Sequence, residues 1–178
     1  MKTNRMKWNS RDAALAAMLA ALYSAYVFYF NVTSFYPFQV RVVDALLPLS
    51  ILFGFPAVIG LTLGGLIGNL LGSPFGIVDY VGGPVANLAA TTLAWALTRR
   101  KFRGAWVTAV AVEIVSVTLI VGSYLVVMTS TPGVPLWIGW LEFLGSEGIA
   151  IGVLGYPLLR SVDRALARGP GQGPKKPS

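Results

Sequence analysis

The chain has 178 residues, of which 55% are apolar and 12% charged, against roughly 25% charged in an ordinary soluble domain, and its mean hydropathy is +0.68. That balance excludes a soluble globular domain and identifies a membrane protein, while the absence of histidine and cysteine excludes disulfides, thiol nucleophiles, imidazole bases and the usual zinc ligands. The formal charge of +7 sits in three short basic clusters between apolar runs, which marks a topology signal rather than a nucleic-acid surface.

Charge-free runs at Ala13 to Val40, Ala45 to Val78, Tyr80 to Thr98 and Ile114 to Leu141 each exceed the roughly 18 residues of a spanning segment. Backbone groups in lipid must bond internally, so these runs are expected to be helical. The N-terminal residues 1–11 carry Lys2, Arg5, Lys7 and Arg11 and are expected in the cytoplasm. The first helix, about Ala13 to Phe30, resembles a signal peptide in its flanks, but removing it would leave a chain still mostly embedded, so it is expected to stay as a span. The segment NVTSFYPFQVR follows on the outer side, where Tyr26, Phe28, Tyr29, Phe35, Tyr36 and Phe38 would form an interfacial aromatic belt. Asn31-Val-Thr33 matches a glycosylation acceptor, although it hugs the membrane.

The stretch Val43 to Gly72 is too long for one span and too short for two standard ones. Pro48, Gly54 and Pro56 break it, with FGFP at Phe53 to Pro56 as the expected turn. The next helix is expected from about Tyr80 to Leu97, its start blurred by Gly82-Gly83-Pro84. A basic cluster from Arg99 to Arg103 precedes helices at about Ala105 to Met128 and Leu136 to Leu159, separated by the turn-forming TSTPGVP. The third basic cluster, Arg160 to Lys176, ends in GPGQGPKKPS, too polar and rich in Gly and Pro to pack.

If all three basic clusters face the cytoplasm, an even number of crossings must separate them. Val43 to Gly72 must then cross twice, with one short or re-entrant helix. The expected fold is an all-α integral membrane bundle of six transmembrane helices, with both termini cytoplasmic. Its single transmembrane domain covers 12–160, and 161–178 form a basic cytoplasmic tail.

Ala13, Ala17, Ala21 and Ala25 form a row of small residues on the first helix, with Ala16, Ala20 and Ser24 beside it. In lipid such faces let backbones approach closely, either against the chain's own helices or against a partner's. For Gly60, Gly64, Gly68 and Gly72, and for Gly145, Gly148, Gly152 and Gly155, internal packing is the expectation.

Charges inside a span are costly and point to function. At 1.5 Å per residue, Glu113 and Glu147 lie roughly 12 and 18 Å from the cytoplasmic ends of their helices. Asp79, Asp44, Arg41 and Glu142 fall nearer the outer mouth, and Asn69 and Asn87 add neutral hydrogen-bonding groups. The two deep glutamates fit a proton relay, a cation pocket or a pair of catalytic carboxylates, the last disfavoured without His or Cys. A structural glutamate held by Ser, Tyr or Arg is the bland alternative for Glu113. Arg41 and Asp44, three residues apart, either pair on a helix face, with Asp44 at a helix start, or gate the mouth of a pocket. No GxxxxGK[ST] loop occurs, so energy for transport would come from partners or an ion gradient.

The strings FQVRVVDALLPLSILFGFPAVIGLTLGGLIGNLLG, GIVDYVGGPVANLAA and FLGSEGIAIGVLGYPLL, covering most of Phe38 to Leu159, resemble the queuosine-precursor transporter family. Its members are substrate-specific S components of energy-coupling-factor (ECF) transporters in the cell membrane. The resemblance implies six helices, a pocket opening outward and no catalytic activity or cofactor. It also implies that a small-residue face of the first helix, here Ala13, Ala17, Ala21 and Ala25, docks onto a transmembrane coupling subunit driven by two ATPase subunits. The implied substrate is a 7-deazaguanine base, a precursor of queuosine or archaeosine. Glu147 is then expected to read the base edge, with Asp79, Asn87, Arg41, Asp44 and Glu113 around it and Trp137, Trp140 or Phe38 as stacking walls. The rivals are an S component for another vitamin or micronutrient, an ion-coupled transporter, a membrane enzyme built on Glu113 and Glu147, and a structural subunit with no ligand.

Overall fold

The structure, a computed structural model, describes residues 8–30, 41–100, 102–129 and 135–168. Among them every regular element is a helix: α1 Ser10–Tyr29, α2 Val42–Phe53, α3 Phe55–Gly72, α4 Ile77–Thr98, α5 Ala105–Thr129 and α6 Leu136–Arg168. Four of these, α1, α3, α5 and α6, are long and apolar enough to cross a membrane. The 22-residue α4 matches them in length but carries Asp79, Asn87 and Thr91 on its buried face. Helix α2 is the short one that the sequence requires between the first two basic clusters.

Local chemistry sets the boundaries. Asn9 and Asp12 form a reciprocal capping box, the Asn9 side chain accepting from the Asp12 N–H at 2.9 Å and the Asp12 carboxylate from the Asn9 N–H at 3.1 Å, which starts α1. The expected FGFP break falls at Gly54, where φ is +65°, a backbone state that glycine reaches without a Cβ clash. Helix α4 begins at Ile77 rather than about Tyr80, because Gly76 makes the turn and Asp79 occupies the first helical turn, favoured at the positive dipole end. It then runs through Pro84, which a helix packed among others tolerates. At the other end of the chain, α6 continues past Arg160 to Arg168.

Helix α1 packs on α3, α3 on α4, α4 on α5 and α5 on α6, while α2 is wedged among α1, α4 and the middle of α6. The α1/α3 seam is tight along its whole length. A Cβ placed on Gly60 would stand 2.5 Å from the Ala16 carbonyl oxygen, on Gly64 2.7 Å from the Tyr23 Cβ, and on Gly68 2.8 Å from the Val27 Cβ. Ala16 and Ala20 are accordingly buried, whereas Ala13, Ala17, Ala21 and Ala25 are exposed. The two alanine rows therefore have different tasks. Gly72, at the end of α3, is half-buried.

The second glycine row corrects an expectation. A Cβ on Gly145 or Gly148 would meet nothing within 4 Å, and on Gly152 only Ile114 at 3.5 Å; Gly155 alone is tight, 3.0 Å from the Ala45 carbonyl. The reason is that Gly148–Gly155 winds as a π-helix, whose wider turn moves residues three and four apart off a common face.

One end of the bundle gathers aromatic and basic side chains. Trp8 meets Phe55 at 6.2 Å, Phe55 meets Trp95 at 5.9 Å, and the Arg99 and Arg160 guanidiniums lie 5.2 and 5.3 Å from the Trp95 and Trp106 rings. Apolar side chains such as Leu71, Ile77, Val107, Val127 and Val153 are exposed along the flanks, the inverse of a soluble surface and what lipid requires. Tyr26, Phe28 and Tyr29 lie in the last turns of α1; Phe35, Tyr36, Phe38, the Asn31-Val-Thr33 sequon, most of TSTPGVP and the GPGQGPKKPS tail lie outside the described residues.

Candidate functional site

Polar side chains from every helix converge in the interior. Arg41 heads α2, and its carbonyl accepts from the Asp44 N–H at 2.8 Å, so a 3₁₀ turn holds the two side chains close. Both are buried. The Arg41 guanidinium donates to Asn69 Oδ1 at 3.3 Å, and Asn69 Nδ2 donates to the Asp79 carbonyl at 2.8 Å. On α4 the Asp79 carboxylate accepts from the Tyr124 hydroxyl of α5 at 2.5 Å. The Tyr23 hydroxyl of α1 donates to Asp44. Neighbouring Asp44 is the Glu147 carboxyl, at the last α-helical residue before the π stretch. π segments inside helices recur at functional sites.

Two further polar groups flank this centre. Asn87 Nδ2 donates to the Leu61 carbonyl at 3.2 Å, tying α4 to α3. Glu113 accepts from the Ser50 hydroxyl at 3.2 Å, tying α5 to α2.

The site therefore holds four buried carboxyl groups, Asp44, Asp79, Glu113 and Glu147, around one guanidinium. Asp79 Oδ2, Glu113 Oε2 and Glu147 Oε2 are buried and make no hydrogen bond to the described protein. An unsatisfied carboxyl oxygen away from water costs on the order of 1–3 kcal/mol or more, so its retention by several helices at once calls for a function. Chemically, the arrangement is an acceptor-rich cluster with one guanidinium among the described residues, and its free carboxyl oxygens can accept hydrogen bonds from N–H or O–H donors.

The sequence model of the QueT transporter family matches residues 13–164, a span that reaches all six helices and contains every polar residue just described. The chain belongs to the QueT transporter family. It is a multi-pass membrane protein of a transporter family. No curated protein and no solved structure matches it.

Within this QueT-family chain the structure brings together Arg41, Asp44, Asp79 and Glu147, and places Asn87 and Glu113 beside them. Arg41 and Asp44 are enclosed rather than displayed at a rim. Trp140 is committed elsewhere: its indole N–H donates to Ser123 at 3.0 Å, and its ring packs at 3.2 Å from where a Gly122 Cβ would stand, locking α6 to α5. Trp137 is 57% exposed in the first turn of α6 and does not join the cluster. Phe38 lies outside the described residues, and Glu142 is exposed. Sequence reasoning did not select Tyr23, Tyr124 or Ser50, and it singled out Asn69 only as a neutral hydrogen-bonding group. Tyr23 shares the inward face of Ala16, Leu19, Ala20 and Val27, and that spacing is the signal that could have found it.

Proposed function

We propose that this protein is the substrate-binding membrane subunit of an ECF-type importer and that its ligand is a 7-deazaguanine base, a precursor of queuosine or archaeosine. The observation that carries this reading is the set of buried carboxyl oxygens left without protein donors at Asp79 and Glu147. A guanine-like edge offers an N1–H and a 2-amino group side by side, which one carboxylate accepts together. Glu147 takes that edge, Asp79 accepts from a second donor of the ring system, and Arg41 faces the exocyclic carbonyl. Asn87 and Asp44 complete the walls, and Glu113 shapes the floor through Ser50. Phe38 is the candidate for stacking on the ring.

The exposed Ala13, Ala17, Ala21 and Ala25 row supports docking of α1 onto a coupling subunit, since small side chains let a partner helix approach to backbone contact. In this reading ATP hydrolysis belongs to two ATPase subunits outside this chain, which itself carries no GxxxxGK[ST] loop. The basic and aromatic end of the bundle faces the cytoplasm, N-in and C-in, across the cell membrane.

Mass spectrometry of the small molecule released from purified protein tests the ligand. A 7-deazaguanine is the expected result; a vitamin would overturn the substrate and leave the subunit role standing, and product formation in detergent would overturn both.

A further inference from the structure

We infer that Tyr23 is a positioning residue that links the ligand site to the partner-facing side of α1; this rests on the docking and ligand readings above. The Tyr23 hydroxyl is fully buried and donates to Asp44, whose carboxyl neighbours that of Glu147. Ala21 and Ala25, two residues to either side of Tyr23, are exposed, and at 3.6 residues per turn each lies roughly 200° around the helix from it. One stiff helix thus presents its ring to the ligand site and its methyl groups to the outside.

The rest of the α1 seam is apolar. Gly60 and Gly64 sit against Ala16, Ala20 and the Tyr23 Cβ, and Gly68 against Val27. Those contacts hold α1 on α3 but do not distinguish one state of the site from another. A hydrogen bond to a carboxylate is directional and stronger than a neutral one, so a change at Asp44 acts on Tyr23. The Tyr23 Cβ packs on Gly64, where an added Cβ would stand 2.7 Å away, and the ring edge passes Gly65, 3.8 Å from where a Cβ would stand. Fully buried, the ring passes a displacement of Asp44 to the helix as a whole. Ligand occupying Glu147 alters what faces Asp44, and α1 carries that change to the alanine row.

The chain contains no cysteine, so Ala21→Cys accepts a single spin label in lipid nanodiscs. Without ligand, Asp44→Asn is expected to shift the label spectrum in the Tyr23 chain and to leave it unshifted in a Tyr23→Phe chain. Saturating 7-deazaguanine is expected to shift it in the Tyr23 chain alone, with Tyr23→Phe still binding at roughly tenfold weaker affinity. Equal label responses in both chains, or no response to Asp44→Asn in the Tyr23 chain, overturn the proposal. The Asp44→Asn arm requires no change at Tyr23 and no ligand, so a missing response there overturns the proposal even if Tyr23→Phe fails to insert. Absence of 7-deazaguanine binding in the unmodified chain instead refutes the ligand reading, leaving the ligand-free comparison to judge the link.

Discussion

Gly60→Ala adds one carbon where α1 passes closest to α3. That carbon would stand 2.5 Å from the Ala16 carbonyl oxygen and 3.0 Å from the Ala16 Cα. Both are backbone atoms, so no rotamer change relieves the clash, and α1 must retreat by roughly 1 Å to restore van der Waals separation. Such overpacking typically costs about 1–3 kcal/mol, partly offset by the roughly 0.5–1 kcal/mol that alanine gains over glycine in a helix. The expected net loss is about 1–2 kcal/mol, read as a lowered unfolding midpoint of the purified protein in mixed micelles. Gly145→Ala is the control: its Cβ meets nothing within 4 Å, so only the helix-propensity gain remains. A Gly60→Ala protein as stable as the parent, or a Gly145→Ala protein as damaged as Gly60→Ala, would refute the tight α1/α3 seam.

Gly54→Ala forces a residue with a Cβ to φ +65° and brings that Cβ to 3.1 Å from Trp95 Nε1; a stability loss of about 1–3 kcal/mol is expected, measured by the same unfolding assay. Ala17→Leu combined with Ala21→Leu enlarges exposed positions only, so insertion and ligand affinity should hold while co-purification with the coupling subunit is lost. Retained assembly in that double variant would move the docking face elsewhere. Tyr124→Phe leaves the Asp79 carboxylate without its 2.5 Å donor, and affinity for 7-deazaguanine should fall roughly tenfold in calorimetry with the fold intact.

Much of the architecture was legible because the membrane restricts the vocabulary. Basic clusters and parity called for a short extra helix, and the chain supplies α2, ended by Gly54 as the FGFP signal suggested. The deep carboxyls were also legible, since Glu113, Glu147 and Asp79 stand out as charges in apolar runs. What the sequence concealed were relations across helices. Nothing local distinguishes Ala16 from Ala17, yet one is buried against glycine and the other exposed. Tyr23 and Tyr124 look like ordinary aromatic residues of apolar helices until their hydroxyls meet Asp44 and Asp79. The glycines of α6 follow a three- and four-residue spacing that would make a packing face in an α-helix, and the π winding after Glu147 removes it. Trp137 and Trp140 drew attention through their position, but aromatic residues near a helix start serve lipid contact and interhelical packing as readily as ligand stacking.

The central claim is that buried carboxyls, Glu147 foremost, recognise the donor edge of a deazapurine. Equilibrium titration of 7-deazaguanine into purified parent and Glu147→Gln proteins tests it most directly. Replacing the charged acceptor by a neutral amide, which presents one donor where an acceptor is needed, should weaken binding by roughly 10- to 150-fold with the unfolding midpoint retained or raised. Equal affinity in the two proteins would contradict the account.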